Sequence, residues 1–150
     1  MTFALSGDLA RLRIPPPSSA QSCYMAERLW QHTCFEAFIG VPGSQAYYEF
    51  NFAPSGQWMA YAFRDYRDGA ALTDETLAPR ITLRTSDKKL ELDAVITLDK
   101  LALLPPPRSP LRLGLSAVVE DDSGAISWWA LRHAPGKPDF HHADAFALQL

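Results

Sequence analysis

Along most of the chain, apolar and polar residues alternate in runs of four to eight, and clusters of Gly, Pro, Asp and Ser separate the runs. No stretch of ten or more residues keeps a helical periodicity, so the pattern predicts an all-β antiparallel sandwich. Phe3 and Leu5 open a first strand that stops at Gly7-Asp8. The residues Pro15 to Ser19 must be an exposed connection, because proline cannot donate to a β ladder. Later strands are expected over 81–85, 90–98, 111–120, 126–131 and 145–150, joined by turns such as 86–88 and 121–124. In the strand over 90–98, Leu90, Leu92, Ala94, Ile96 and Leu98 form a core face opposite Glu91, Asp93, Val95 and Thr97. The overlapping segment 98–104 has room for one or two helical turns before Pro105-Pro106-Pro107 ends it.

The alternation is richest over 29–63. If 30–41 is extended, Thr33, Phe35, Ala37, Ile39 and Val41 share the core face, and Trp30, His32, Cys34, Glu36 and Phe38 share the other. A strand over 47–52 divides the same way, with Tyr48, Phe50 and Phe52 inward and Tyr47, Glu49 and Asn51 outward. Ala53-Pro54-Ser55-Gly56 suits a type I turn and makes a hairpin with a strand over 57–63. In that last strand Met59, Tyr61 and Phe63 are assigned to the core, and Trp58, Ala60 and Ala62 to the polar side. Trp30, Glu36, Glu49, Asn51 and Trp58 then line one shallow trough, with His32 and Cys34 as neighbours on its face.

Composition narrows what such a trough serves. A chain of 150 residues fits a single domain, 1–150, whose core needs no disulfide or metal staple. Its 47% hydrophobic and 21% charged content is that of an ordinary soluble protein, and no apolar run approaches the roughly 20 residues of a membrane helix. The opening MTFALSGDLARL lacks the features of a signal peptide, so the expected location is cytoplasmic, where Cys23 and Cys34 are expected as reduced thiols. A net charge of -3 without a Lys/Arg cluster argues against nucleic acid or anionic membrane as partner and leaves a small, neutral or weakly polar ligand.

Exposed indoles beside carboxylates and amides match carbohydrate recognition: C–H faces of a sugar stack on aromatic rings while acidic and amide groups bind its hydroxyls. Trp128-Trp129 adds a third stacking element; adjacent strand residues point oppositely, so one faces the trough and the other packs inward, with the balance toward Trp129 inward. The cluster Asp139, His141, His142 and Asp144 has metal-like composition. Neighbouring histidines diverge in extended chain, so one ion can take Asp139 with His141, or His142 with Asp144. The competing assignment has these side chains capping the last loop before Phe146, Leu148 and Leu150 enter the core. Cys34 and His32, two residues apart on a strand, are about 6.5 to 7 Å apart along it, beyond the reach of a nucleophile–base pair. Glu36 and Glu49, facing alike from adjacent strands, have the residue types of a glycosidase's paired carboxylates, which keeps a glycoside or metal-dependent hydrolase as an alternative.

Four segments together resemble the DOMON-like domains, specifically the small bacterial type related to the family-nine carbohydrate-binding modules: LWQHTCFEAF (29–38), YYEFNFAPSGQWMAYAF with YRDG (47–69), WWALRH (128–133) and KPDFHHADAFALQL (137–150). The resemblance implies an antiparallel sandwich of jelly-roll type that binds a saccharide without turning it over. By position it matches Trp30 and Glu36 to the family's sugar-contacting Trp–Glu pair, and Trp128 or Trp129 to its late Trp. Other DOMON domains bind haem b through a Met and a His, for which Met25 or Met59 with His32, His133 or His141 are the candidates. Relatives also carry a strand ahead of the position of Thr2, so the resemblance implies a sheet edge here that is exposed or filled by a partner.

Overall fold

The computed structural model describes residues 1–16, 24–104 and 109–150. Cys23 and most of the two proline-rich connections lie outside these residues. In chain order the strands are β1 (Thr2–Ser6), β2 (Cys34–Gly40), β3 (Tyr47–Phe52), β4 (Trp58–Asp65), β5 (Asp68–Leu72), β6 (Arg80–Ser86), β7 (Lys89–Val95), β8 (Arg112–Glu120), β9 (Ile126–Ala130) and β10 (Leu148–Gln149). All strand pairs are antiparallel. Short 3-10 turns are the only helical structure among the described residues, and none of them is long and apolar enough to cross a membrane.

Two sheets form the sandwich predicted from the alternation. A three-stranded sheet runs β1-β7-β6, and a seven-stranded sheet runs β10-β8-β2-β3-β4-β5, with β9 also paired to β8. Phe3, Leu90, Leu92 and Ala94 of the small sheet meet Phe35, Ala37, Ile39, Tyr48, Phe50 and Phe52 of the large one to form the main core. A second apolar cluster lies on the opposite, outer face of the large sheet, where Phe38, Tyr47, Phe63 and Val118 pack under Phe140. Both faces of β2 and β3 are therefore covered, and every residue of both strands is buried.

One register decides the face of β4, and it corrects the sequence-based assignment. The expected turn is present, with Gly56 N–H donating to Ala53 O at 3.0 Å. Gly56, however, adopts φ 90°, a conformation glycine takes without penalty, and acts as one additional loop residue. Ala53 N–H consequently bonds to Gln57 O, and Phe52 lies opposite Trp58. Opposite residues share a face, so one extra loop residue turns over every side chain of the strand. Trp58, assigned to the trough, is instead 1% exposed in the main core beside Ala60, while Met59, Tyr61 and Phe63 point to the outer face. Its indole N–H has no partner among the described residues.

Other boundaries shift less. The region 29–31 is a 3-10 turn entered through Arg28 at φ 59°, and β2 begins only at Cys34, so Trp30 and His32 do not lie on the strand. Residues Leu98–Lys100 form the short helical turn expected there, and β7 ends at Val95, leaving Leu98 exposed. β10 is two residues long. Leu148 and Leu150 are exposed rather than core residues, because residues 138–146 spend the end of the chain crossing the outer face of the large sheet.

Candidate functional site

The outer face of β2, β3 and β4, the segment 138–141 and two indoles line an open cavity of about 340 Å³. Its lining includes Glu36, Glu49, Tyr61, Phe63, Arg67 and His141, with Trp30 and Trp128 at its sides. Glu36 lies opposite Asn51 and Ser116, and Glu49 opposite Phe38 and Tyr61. The two glutamates are thus diagonal neighbours on adjacent strands, with Cα atoms roughly 7–8 Å apart and longer side chains able to approach more closely.

Each carboxyl is buried with sparse support. Ser116 Oγ donates to Glu36 Oε2 at 3.3 Å, and Asn51 Nδ2 donates to Glu49 Oε1 at 2.7 Å. Asn51 Oδ1 is itself 3.7 Å from the Cys34 thiol, so Asn51 stands behind the site rather than in it. Burial is the main force raising both carboxyls above the usual range. The charge of Glu49 pushes Glu36 further in the same direction, while the Ser116 and Asn51 bonds and the nearby Arg67 offset part of the shift.

The roof is pinned by polar contacts to the sheet. Arg67 Nη2 donates to Asp139 Oδ1 at 2.8 Å, and Tyr66 Oη donates to Asp139 Oδ2. Tyr47 Oη accepts from the Arg67 backbone N–H at 3.2 Å and lies 2.8 Å from His141 Nδ1. An imidazole that accepts from Tyr47 at Nδ1 carries its proton on Nε2, which faces Glu49 Oε2 at 3.6 Å. The rings of Phe38, Tyr47 and Phe63 surround His141 edge-on at 5.1 to 5.9 Å. Burial, reinforced by Arg67, drives the His141 pKa down to about 4 against the opposing pull of Asp139, so the ring is neutral.

Arg67 reaches this position from the tip of the β4–β5 hairpin, where it holds φ 55°. Gly69 follows because the Phe63 ring lies across it: a Cβ there would come within 2.6 Å of that ring. The strand pattern does not reveal this hairpin, although Asp68-Gly69 is a turn signal, because Ala70 and Ala71 give β5 almost no alternation.

Of the residues expected in the trough, Trp30, Glu36, Glu49 and Trp128 line the cavity. Trp30, 46% exposed, is carried there by its 3-10 turn, and Trp128, 50% exposed, by its pairing with Val118. Asn51 supports Glu49, and Trp58 is in the core. His32 turns away from the cavity, its Nδ1 lying 2.7 Å from Glu120 Oε2, a carboxylate that Arg13 also binds at 3.0 Å. Trp129 lies opposite Ala117, on the core side of β8, yet is 63% exposed, with its indole donating to Ser127 Oγ at 3.0 Å. The expectation that it packs inward fails because β9 is an edge strand whose Trp129 ring is left uncovered. Among the metal candidates, Asp139 and His141 line the cavity but are bonded to Arg67, Tyr66 and Tyr47. His142 and Asp144 form a separate half-exposed pair at 3.6 Å. The Asp139 carboxylate and His142 ring also accept from the backbone N–H groups of His141 and Asp144, the loop-capping role expected of this cluster. Among the described residues no group of three or more His, Cys, Asp or Glu is arranged to hold a metal. Tyr61 and Phe63, expected in the core, line the cavity instead, and Arg67 and Phe140 join them although the strand pattern gives them no role.

No family model matches the chain. No curated protein matches it. Among solved structures, the fold resembles a "putative carbohydrate-binding protein" from Bacteroides uniformis, with a TM-score of 0.58 and 12% identity over 96% of this chain and 66% of that one. At that identity the likeness is one of fold, and this chain corresponds to about two thirds of its neighbour's length.

Proposed function

We propose that the protein is a non-catalytic binding domain of the DOMON-like type that takes a saccharide in the cavity over Glu36 and Glu49. The observation that carries this reading is the placement of two half-exposed indoles, Trp30 and Trp128, beside a cavity whose interior offers carboxyl and guanidinium groups. Large aromatic surfaces left in water next to buried hydrogen-bonding groups suit a ligand with apolar ring faces and polar edges. The volume of about 340 Å³ suits one or two sugar rings rather than a long chain. The carbohydrate-binding description of the structural neighbour supports the same ligand class at the level of fold.

Isothermal titration against a panel of mono- to trisaccharides tests the proposal. At least one member binds the parent protein, and Trp128→Ala and Trp30→Ala each weaken that binding by roughly tenfold or more. Absence of binding across the panel overturns it. Release of a chromophore from aryl glycosides, lost in Glu36→Gln, would replace binding with hydrolysis as the function.

A further inference from the structure

Acidic side chains outnumber basic ones around the cavity. Glu36, Glu49 and Asp139 all border it, whereas Arg67 is the one guanidinium or ammonium among the lining residues and is already paired with Asp139. Neither glutamate has an ion pair with Arg67. The basic group nearest Glu49 is His141 Nε2 at 3.6 Å, on a ring that burial keeps neutral. Among the described residues Glu36 Oε1 and Glu49 Oε2 accept no hydrogen bond, since Ser116 and Asn51 donate to the other oxygen of each carboxyl. A buried carboxyl with a free oxygen, opening on a cavity, calls for a donor, and a charged donor makes the stronger bond.

A divalent metal fits this donor set poorly. Calcium takes six to eight oxygens and magnesium a near-ideal octahedron, whereas here two carboxyl oxygens are free and, among the described residues, no third His, Cys, Asp or Glu joins them in a metal-holding group. A protonated amine fits better: it brings up to three N–H donors, and aromatic rings such as those of Trp30, Trp128 and Tyr61 attract cations through their faces. We infer that the preferred ligand is an amine-bearing saccharide, its ammonium seated between Glu36 and Glu49 and its ring against Trp30 and Trp128. This inference rests on the saccharide reading above.

Binding of an ammonium is then linked to protons. The ionisable groups facing the pair are Arg67, Asp139, His141, Tyr47, Tyr61 and Cys34. His141 titrates near 4, burial pushes Tyr47, Tyr61 and Cys34 upward, and Arg67 and Asp139 are held in their charged forms by each other. The glutamates, which burial keeps protonated above the ordinary carboxylate range, are the groups left to release a proton when the ammonium arrives.

The test is calorimetric titration with three trisaccharides of matched backbone: fully deacetylated chitotriose, N-acetylated chitotriose and cellotriose, with tetramethylammonium as a bare cation. Each is measured in two buffers of different ionisation heat. The free-amine sugar is expected to bind about ten- to a hundredfold tighter than either neutral one, the range of a charged hydrogen bond. It is also expected to release protons and to gain affinity from about pH 5 to about pH 7. Glu36→Gln and, independently, Glu49→Gln reduce the preference to within about twofold, each variant first shown to unfold cooperatively. Equal or tighter binding of the neutral trisaccharides, or no proton release, overturns the amine inference and leaves the saccharide reading standing. Failure of all three to bind overturns the amine inference, and absence of binding across the wider mono- to trisaccharide panel as well overturns both. Tetramethylammonium binding as tightly as the amino sugar overturns the saccharide part.

Discussion

The two faces of β2 and β3 are buried alike and built from opposite chemistry. Inward they present Phe35, Ala37, Ile39, Tyr48, Phe50 and Phe52 to the small sheet. Outward they present Cys34, Glu36, Phe38, Tyr47, Glu49 and Asn51 beneath residues 138–146. Burying apolar area stabilises by about 25 cal/mol per Å². Burying a carboxyl costs several kcal/mol unless partners replace its water, and each glutamate here has one donor. Burial therefore stabilises the fold throughout the inner face, whereas on the outer face the apolar cluster around Phe38 stabilises it and the carboxyls of Glu36 and Glu49 oppose it. A face retained against stability is where binding is expected, since real proteins break packing rules at functional sites.

The sharpest way to break the comparison is Trp58→Ala. Emptying an inner-face position that is 1% exposed should cost roughly 3–5 kcal/mol in chemical denaturation; a loss below about 1 kcal/mol would remove Trp58 from the core.

Glu36→Gln probes the outer face with the opposite sign. A carboxyl whose folded pKa is raised contributes stability that is fully present below its ordinary value of 4.5 and is lost as pH climbs through the raised value. The variant should therefore match the parent near about pH 4 and exceed it by on the order of 1–3 kcal/mol near about pH 8. His141, lowered from 6.5 to about 4, runs the other way: its contribution is present above 6.5 and lost as pH falls toward 4. It acts equally in both proteins and cancels in the difference. A pH-independent difference would show that Glu36 is not buried as an acid.

Tyr47→Phe deletes the hydroxyl that joins Arg67 to His141 and should cost about 1 kcal/mol, with His141 regaining a higher NMR-detected pKa. The smallest effect belongs to Trp129→Ala, which should leave both stability, within about 0.5 kcal/mol, and saccharide affinity unchanged. A tenfold loss of affinity would place Trp129, not Trp128, against the ligand.

The inner faces of β2, β3 and β7 are legible from alternation alone because one set in each strand is apolar or nearly so, while the charged and amide residues Glu36, Glu49, Asn51, Glu91 and Asp93 all fall on the other. That is also why Glu36 and Glu49 could be placed on one outer face. β4 could not be read this way: Trp58, Ala60 and Ala62 are as apolar as Met59, Tyr61 and Phe63, so its orientation depends on the φ of Gly56, which alternation does not encode. Trp30 was assigned to the correct face for the wrong reason, since a 3-10 turn rather than a strand brings it to the cavity. The roof was least legible. Its residues looked like a metal cluster, and only tertiary pairing with Arg67 and Tyr47 shows what Asp139 and His141 do.

Those roof contacts join residues 94 and 72 positions apart in the chain. Contacts across such long loops close late, after local hairpins have formed. On a growing polypeptide the β2–β3–β4 hairpins are complete by residue 65, but no cavity exists until residue 141 has been made. Until then Glu36 and Glu49 lack the cover that residues 138–141 provide. Floor and roof thus form a cavity only together, so the cavity reports on the long-range folding of the domain rather than on any one hairpin.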